Sequence, residues 1–199
     1  MRGQATLFIV AFLVIVMALV GLGLILNYNG LVKSEKGVEE AQAQIATVCQ
    51  RRLDLLPNLI ETVKAYASHE RETLEAVTLA RAQAEAALQG LAKGKGEQAM
   101  GEVAATQAGL SQAMRGIFAL VENYPNLRAA QNFMALQDQF EGTENRIAVA
   151  RQRYNSAVRQ YNSRIETFPG VIVAPLFGFG PGDYYEAKEQ AYEPVVAQF

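Results

Sequence analysis

The chain has one cysteine, Cys49, one histidine, His69, and no surplus of either charge, its formal net charge being −2 over 199 residues. Each scarcity closes a class of function. A lone cysteine makes neither an internal disulfide nor a cysteine-based metal site. Cys49 also falls on an apolar stripe, where free cysteine behaves as a small buried hydrophobe. His69 is followed by Glu70, as at the start of a zinc-protease helix motif, but Thr73 stands where the second histidine belongs. A zinc site would then need carboxylates almost alone. The metal reading fails, and His69 reads as a surface residue. The same scarcity removes Ser-His-Asp and Cys-His catalysis unless His69 serves as the base, and nothing marks Cys49 as exposed or activated. The charge balance provides no basic face of the kind nucleic acid requires.

What the sequence does have is hydrophobic residues, half of the total, enough for a sizeable core. Leu7 to Leu26, LFIVAFLVIVMALVGLGLIL, is apolar, uncharged and of the length that spans a bilayer as a helix. Arg2 gives it a minimal basic start, yet the run is too long for a signal-peptide core, and no small-x-small cleavage site follows before Asn27. It reads as an uncleaved anchor. Arg2 and the terminal amine nearly balance Lys33 and Lys36 across the membrane. The short basic tail 1–6 favours the cytosol, which places the soluble region outside the cytoplasmic membrane.

Asn27 to Gly30, NYNG, reads as a turn-prone hinge. Beyond it, Val38, Ala41, Ile45 and Val48 recur in steps of three and four, and a second stripe runs through Cys49, Leu53, Leu56, Ile60, Val63 and Ala67. So broad an apolar face touches two neighbours, as bundle helices do. Pro57 lies in this stripe without shifting its phase, which favours a kink, with a helix restart as the rival. Tyr124-Pro125-Asn126-Leu127 echoes Leu56-Pro57-Asn58-Leu59, and there the proline opens a new helix.

A helix from about His69 to Leu91 turns Leu74, Val77, Ala84, Leu88 and Leu91 inward and stops at Lys93-Gly94-Lys95-Gly96. The next carries Met100, Val103, Leu110, Met114, Ile117 and Val121. The last has the strongest period, with Phe133, Leu136, Phe140, Thr143, Ile147, Ala150, Tyr154, Ala157 and Tyr161 forming a bundle or coiled-coil seam. From Asn126 to Thr167 it spans roughly 60 Å. Phe168-Pro169-Gly170 stops it, and VIVAPLFGFGPGDYY reads as extended chain packed on the bundle or another surface.

Polar residues beside these stripes carry little chemistry. Arg51, Arg52, Asp54, Asn58, Glu61 and Lys64 form a face near Pro57 that is ordinarily solvated but open to pairing with the last helix. GFGPG, Gly178 to Gly182, lacks the strand and helix of a phosphate cradle, and Pro181 disfavours one, so it reads as a connector. Tyr154-Asn155-Ser156 and Tyr161-Asn162-Ser163 repeat after seven residues. They read as core tyrosines, each hydroxyl with a polar partner, with asparagines on the flank.

The segments Tyr28-Asn29 with Leu31-Val32, VEEAQAQI, RRLDLLPNLIETVKAYASHERETLEAVTLAR, YPNL, LQDQFEGTENRIAVARQRYNSAVRQYNSRIETFP and LFGF with Tyr185-Glu186 resemble the LemA family of bacterial membrane proteins. The resemblance covers Tyr28 to Glu186. Departures are confined to Gln42 to Gln44, where tryptophan is frequent in the family, and to Leu53 and Tyr184. The resemblance implies one N-terminal membrane helix and a long helical bundle. It implies no enzyme and carries over no catalytic residue.

The expected architecture is all-α: tail 1–6, transmembrane helix 7–26, hinge 27–30, antiparallel helical bundle 31–168 and extended C-terminal tail 169–199. The expected function is that of a non-catalytic, membrane-anchored scaffold or adaptor of the bacterial cell envelope, single-pass in the inner membrane. It would self-associate and hold other envelope proteins, and it binds no metal, cofactor or nucleic acid. The alternative is a lipid or hydrophobic-ligand binder, motivated by Val171 to Phe179. That apolar segment and the double stripe from Val38 to Ala67 are the surfaces expected to support a homo-oligomer.

Overall fold

Apolar phase carries directly into helix. The computed structural model describes residues 2–94 and 99–185, without the side chains of 2–6 and 8. Its elements are α1 (Arg2–Tyr66), α2 (Arg71–Ala92), α3 (Ala99–Val121), α4 (Pro125–Arg128), α5 (Gln131–Glu166) and α6 (Gly170–Phe177). The protein is all-α, with no strand among the described residues. Lys95, Gly96 and the expected tail beyond Tyr185 lie outside the described residues.

The chain forms two compact units, Met1–Glu40 with Ser156–Gly182, and Ala41–Asn155 with Asp183–Phe199. The second is built from the later part of α1, all of α2, α3 and α4, and the earlier part of α5. Every inward position expected on α2 and α3 is buried there, as are Cys49, Leu53, Leu56 and Val63 of α1. On α5, Phe133, Phe140, Ile147, Ala150 and Tyr154 are buried, and Phe118 meets the rings of Phe133 and Phe140 edge-on at 6.4 Å each. Edge-to-face contacts at this range add to the simple burial of area. Gly94 ends α2 with φ +65°, its N–H donating to the Leu91 carbonyl at 3.1 Å. Such left-handed closure suits glycine.

In the first unit, Leu31 of α1 is buried with Val173 and Ala174 of α6, and Ile165 and Phe179 pack around them. Tyr28 meets Phe177 at 4.9 Å and Phe179 at 5.6 Å between ring centroids. These contacts correct two expectations. Asn27 to Gly30 is helix rather than hinge, since packing at Tyr28 and Leu31 outweighs the roughly 1 kcal/mol that a mid-helix glycine costs. Gly170–Phe177 is helix rather than extended chain. Pro175 removes only its own bond toward Val171, whereas Val173 and Ala174 gain full burial, and Gly178 closes the helix at φ +77° with Phe179 N–H on the Ala174 carbonyl at 2.9 Å.

The two prolines act differently. Pro125 opens α4 at its first turn, as expected, but the continuous last helix does not begin at Asn126: α4 ends at Arg128 and α5 starts at Gln131. Pro57 lies inside α1, which continues to Tyr66, so the restart is excluded. Pro57 lacks the N–H that would reach the Leu53 carbonyl, and it faces solvent with no packing in return. Pro57→Ala is expected to keep the fold and to gain about 1 kcal/mol, the usual return for removing one local conflict. A thermal melt in detergent checks it, and a large loss would mean that the bend itself is required.

Candidate functional site

Arg52 is the one member of the expected solvated face that leaves solvent. Arg51, Asp54, Asn58, Glu61 and Lys64 are exposed, whereas Arg52 is only 2 % exposed. Its heptad neighbours Cys49, Leu53 and Leu56 draw that side of α1 into the bundle. The guanidinium donates to Gln107 Oε1 at 3.3 Å and Ser111 Oγ at 2.9 Å on α3, and it pairs with Glu144 Oε1 on α5. Its carbon lies 4.8 Å from the Phe140 ring centroid, a cation–π geometry. Burial works against the Arg52 charge, and Glu144 opposes that effect. One side chain thereby ties three helices together.

Ser111 also donates to Glu144 Oε1 at 2.9 Å, which places a hydroxyl against a carboxylate. The pair is poorly suited to nucleophilic catalysis. The oxygen that would take the serine proton already accepts from Arg52, and a carboxylate engaged by guanidinium is a weaker base. A cavity of about 370 Å³ adjoins this cluster, with Arg115, Arg151 and Tyr185 also in its walls.

A second depression, of about 440 Å³, lies between α1 and α5 in the same unit. It is lined by the apolar Val48, Val149 and Ala150, by Gln44, Thr47 and Asn145, and by Arg51, Arg146 and Arg153. No carboxylate lines it, and none of the three arginines makes an ion pair among the described residues. Three arginines without an ion pair, interleaved with apolar side chains, suit an acidic segment with apolar side chains. Sequence reasoning missed this groove. The available signal was the seven-residue spacing of Arg146 and Arg153, which puts both on one face of α5.

The other singled-out residues are dispersed. His69 is exposed in the turn between α1 and α2. Among the described residues, no three of His, Cys, Asp and Glu gather in a metal-binding group. Tyr154 is a core tyrosine, its hydroxyl donating to the Asp183 carbonyl at 2.8 Å, and burial pushes its pKa up to about 12. In the second unit Asn155 clasps the Tyr185 backbone, accepting from its N–H at 2.8 Å and donating to its carbonyl at 3.3 Å. In the first unit Asn162 holds Gly182 in the same way, at 2.8 and 2.9 Å. Tyr154 and the two asparagines therefore seat the following chain, while Tyr161 is buried with no hydroxyl hydrogen bond among the described residues.

Cys49 is buried, and desolvation moves its thiol from 9.0 up to about 11, with the Arg52 charge acting in opposition. A raised folded-state pKa gives stability that is present below the unfolded value and lost as pH rises through the folded one. Cys49 and Tyr154 therefore predict alkaline loss of stability from about pH 9 to about pH 12. At pH 8 the thiolate fraction should be about a hundredfold lower than in the unfolded chain. Alkylation by iodoacetamide before and after denaturation measures this, and equal rates would contradict the burial.

Among the described residues, one apolar helix long enough to cross a membrane, followed by a set of packed helices, defines a class of membrane-associated helical proteins. Within that class, the LemA family profile matches residues 41–199, and the chain belongs to the LemA family. It is also similar to magnetosome proteins MamQ 1 and MamQ 2 of Paramagnetospirillum magneticum. Each is 24% identical over 195 residues, covering 87% of this chain and 70% of the relative. Magnetosome protein MamQ of Magnetospirillum gryphiswaldense is 23% identical over 189 residues, with the same coverage.

Proposed function

We propose that this protein is a non-catalytic adaptor, anchored by one span in the bacterial cytoplasmic membrane, that holds an acidic segment of a partner envelope protein. The observation that carries this reading is the groove of Arg51, Arg146 and Arg153 with Val48, Val149 and Ala150, which lacks any carboxylate of its own. Relatives named for a cellular structure, the magnetosome, rather than for a reaction fit it. The bundle lies on the outer side of the membrane in this proposal, where added protease should reach it. Self-association belongs to the same reading, since a tether confines copies to a plane and raises their effective concentration.

The test places a photocrosslinking residue at Val149 in the full-length protein in native membranes. Crosslinked partner peptides should be rich in Asp and Glu, and the yield should fall with added salt. Arg146→Glu with Arg153→Glu should abolish the crosslinks while helicity is unchanged. Neutral or basic peptides, or crosslinks that survive the double reversal, would overturn the proposal. Crosslinks to Val149 of other copies would reassign the groove to self-association.

A further inference from the structure

The first unit leaves an apolar helix uncovered on one side. α6 carries no charged residue, and none occurs from Phe168 to Gly182. One side, Gly170, Val173 and Ala174, is buried, with Val173 and Ala174 in one cluster with Leu31 of α1. The other presents Val171, Ile172, Leu176 and Phe177 outward, with Leu176 70% exposed and the preceding Phe168 81% exposed. A helix that is hydrophobic all round is ordinarily buried all round. The position of α6 identifies what covers the second side.

Its partner on α1 is Leu31, which lies five residues beyond Leu26, the end of the apolar run. Five helical residues rise about 7.5 Å. The headgroup region on each side of a bilayer is roughly 5–7 Å thick outside the hydrocarbon core. The Leu31 contact therefore holds one part of α6 at headgroup level, while Phe177 at its end, with Phe179, meets Tyr28, only two residues or about 3 Å beyond Leu26 and so close to the acyl chains, provided only that the run spans the membrane. The surrounding residues match that depth. Tyr28, an amphipathic ring of the kind that membrane proteins collect at this level, packs on Phe177 and Phe179 at the exit of the span. Arg164 donates to the Gly30 carbonyl at 2.9 Å, and Lys33 is exposed one turn further along, so cations stand where lipid phosphates lie.

We infer that α6 is a second membrane contact, a short interfacial helix whose outward face, with Phe168, enters the lipid of the leaflet in which the span ends. Apolar area supplies the attraction, and the fixed packing on Leu31 and Tyr28 aligns it with the span, so a short helix suffices. The inference rests on the span and not on the adaptor reading, and it stands if the arginine groove proves to bind nothing.

The test uses the absence of tryptophan from the chain. Leu176→Trp introduces one reporter and leaves the Tyr28–Phe177 contact in place. In full-length protein reconstituted into phosphatidylcholine vesicles at high dilution, its emission should be blue-shifted. Lipids brominated near the top of the acyl chain should remove most of it, more than lipids brominated near the chain end. Ile15→Trp, in the middle of the span, should show the reverse depth order. Emission at the wavelength of exposed tryptophan, quenched by aqueous acrylamide and not by brominated lipid, would overturn the inference. Blue-shifted emission that brominated lipid does not touch would also overturn it, because protein would then cover the face.

Discussion

Glu144→Ala should lower the stability of the second unit by about 3 kcal/mol, while Arg52→Met should cost only about 1 kcal/mol. The asymmetry follows from burial. Arg52 is 2% exposed, and the Glu144 side chain is 49% exposed. Removing the glutamate leaves a cation that cannot reach water, with only neutral partners at Gln107 and Ser111 and the Phe140 ring face. Removing the arginine lets Glu144 turn to solvent, and the remaining loss is that of the hydrogen bonds to Gln107 and Ser111. The double change Arg52→Met with Glu144→Met should recover most of the loss, because paired burial of charge gives little net stability over apolar packing. In a thermal melt of the full chain in detergent, the single glutamate change should lower the midpoint by roughly 6–12 °C. Equal effects of the two single substitutions would show that Arg52 reaches water.

The other large effect should come from Gly170→Ala. A Cβ at Gly170 would run into the backbone carbonyl of Arg164 in the last turn of α5, an obstacle that no rotamer change can move. The turn through Thr167 to Pro169 would have to open, lifting α6 from Leu31. Exposure of Leu31 and Val173, each worth roughly 1.5–3 kcal/mol when buried, sets the loss at about 3 kcal/mol. Two nearby glycines provide the scale. Gly178→Ala meets no atom but forces alanine to φ +77°, which costs about 1–2 kcal/mol. At Gly182 a Cβ would make ordinary contacts of 3.6 Å and longer with Tyr161 and Val158, so Gly182→Ala should be close to neutral. Thermal midpoints of the three variants should fall in that order. A neutral Gly170→Ala would mean that α6 is not held against α1 by this turn.

Where the period was long, the sequence disclosed the fold. The inward positions of α2 and α3 and most of the α5 seam fell as expected, because a stripe sustained over many turns is local information. Three features were not local. Asn27 to Gly30 has turn-forming residues, yet its helix is completed by Phe177 and Phe179, well over a hundred positions later. Gly170–Phe177 has a proline and a capping glycine within eight residues, and burial of Val173 and Ala174 overrides them. Arg52 reads as solvated until Gln107, Ser111 and Glu144 are brought to it from two other helices. The groove was hidden for a similar reason. Arg146 and Arg153 are legible as a spaced pair, but only the fold adds Arg51.

The asparagine clasps at Tyr185 and Gly182 address peptide groups, the part of a residue that every amino acid but proline shares. Asn155 and Asn162 each behave as one rung of a sheet ladder mounted on a helix, taking an N–H and returning a bond to the same residue's carbonyl. Such a seat stores almost no information about what sits in it. At Gly182, where there is room for a side chain, mutations could accumulate without loosening the hold, proline excepted because it has no N–H to give. The asparagines have no such freedom, since no other side chain of that length offers donor and acceptor together. At Gly182, selection on this latch therefore falls on the helix and leaves the residue it grips free to drift, whereas the buried ring of Tyr185 is held by its own packing.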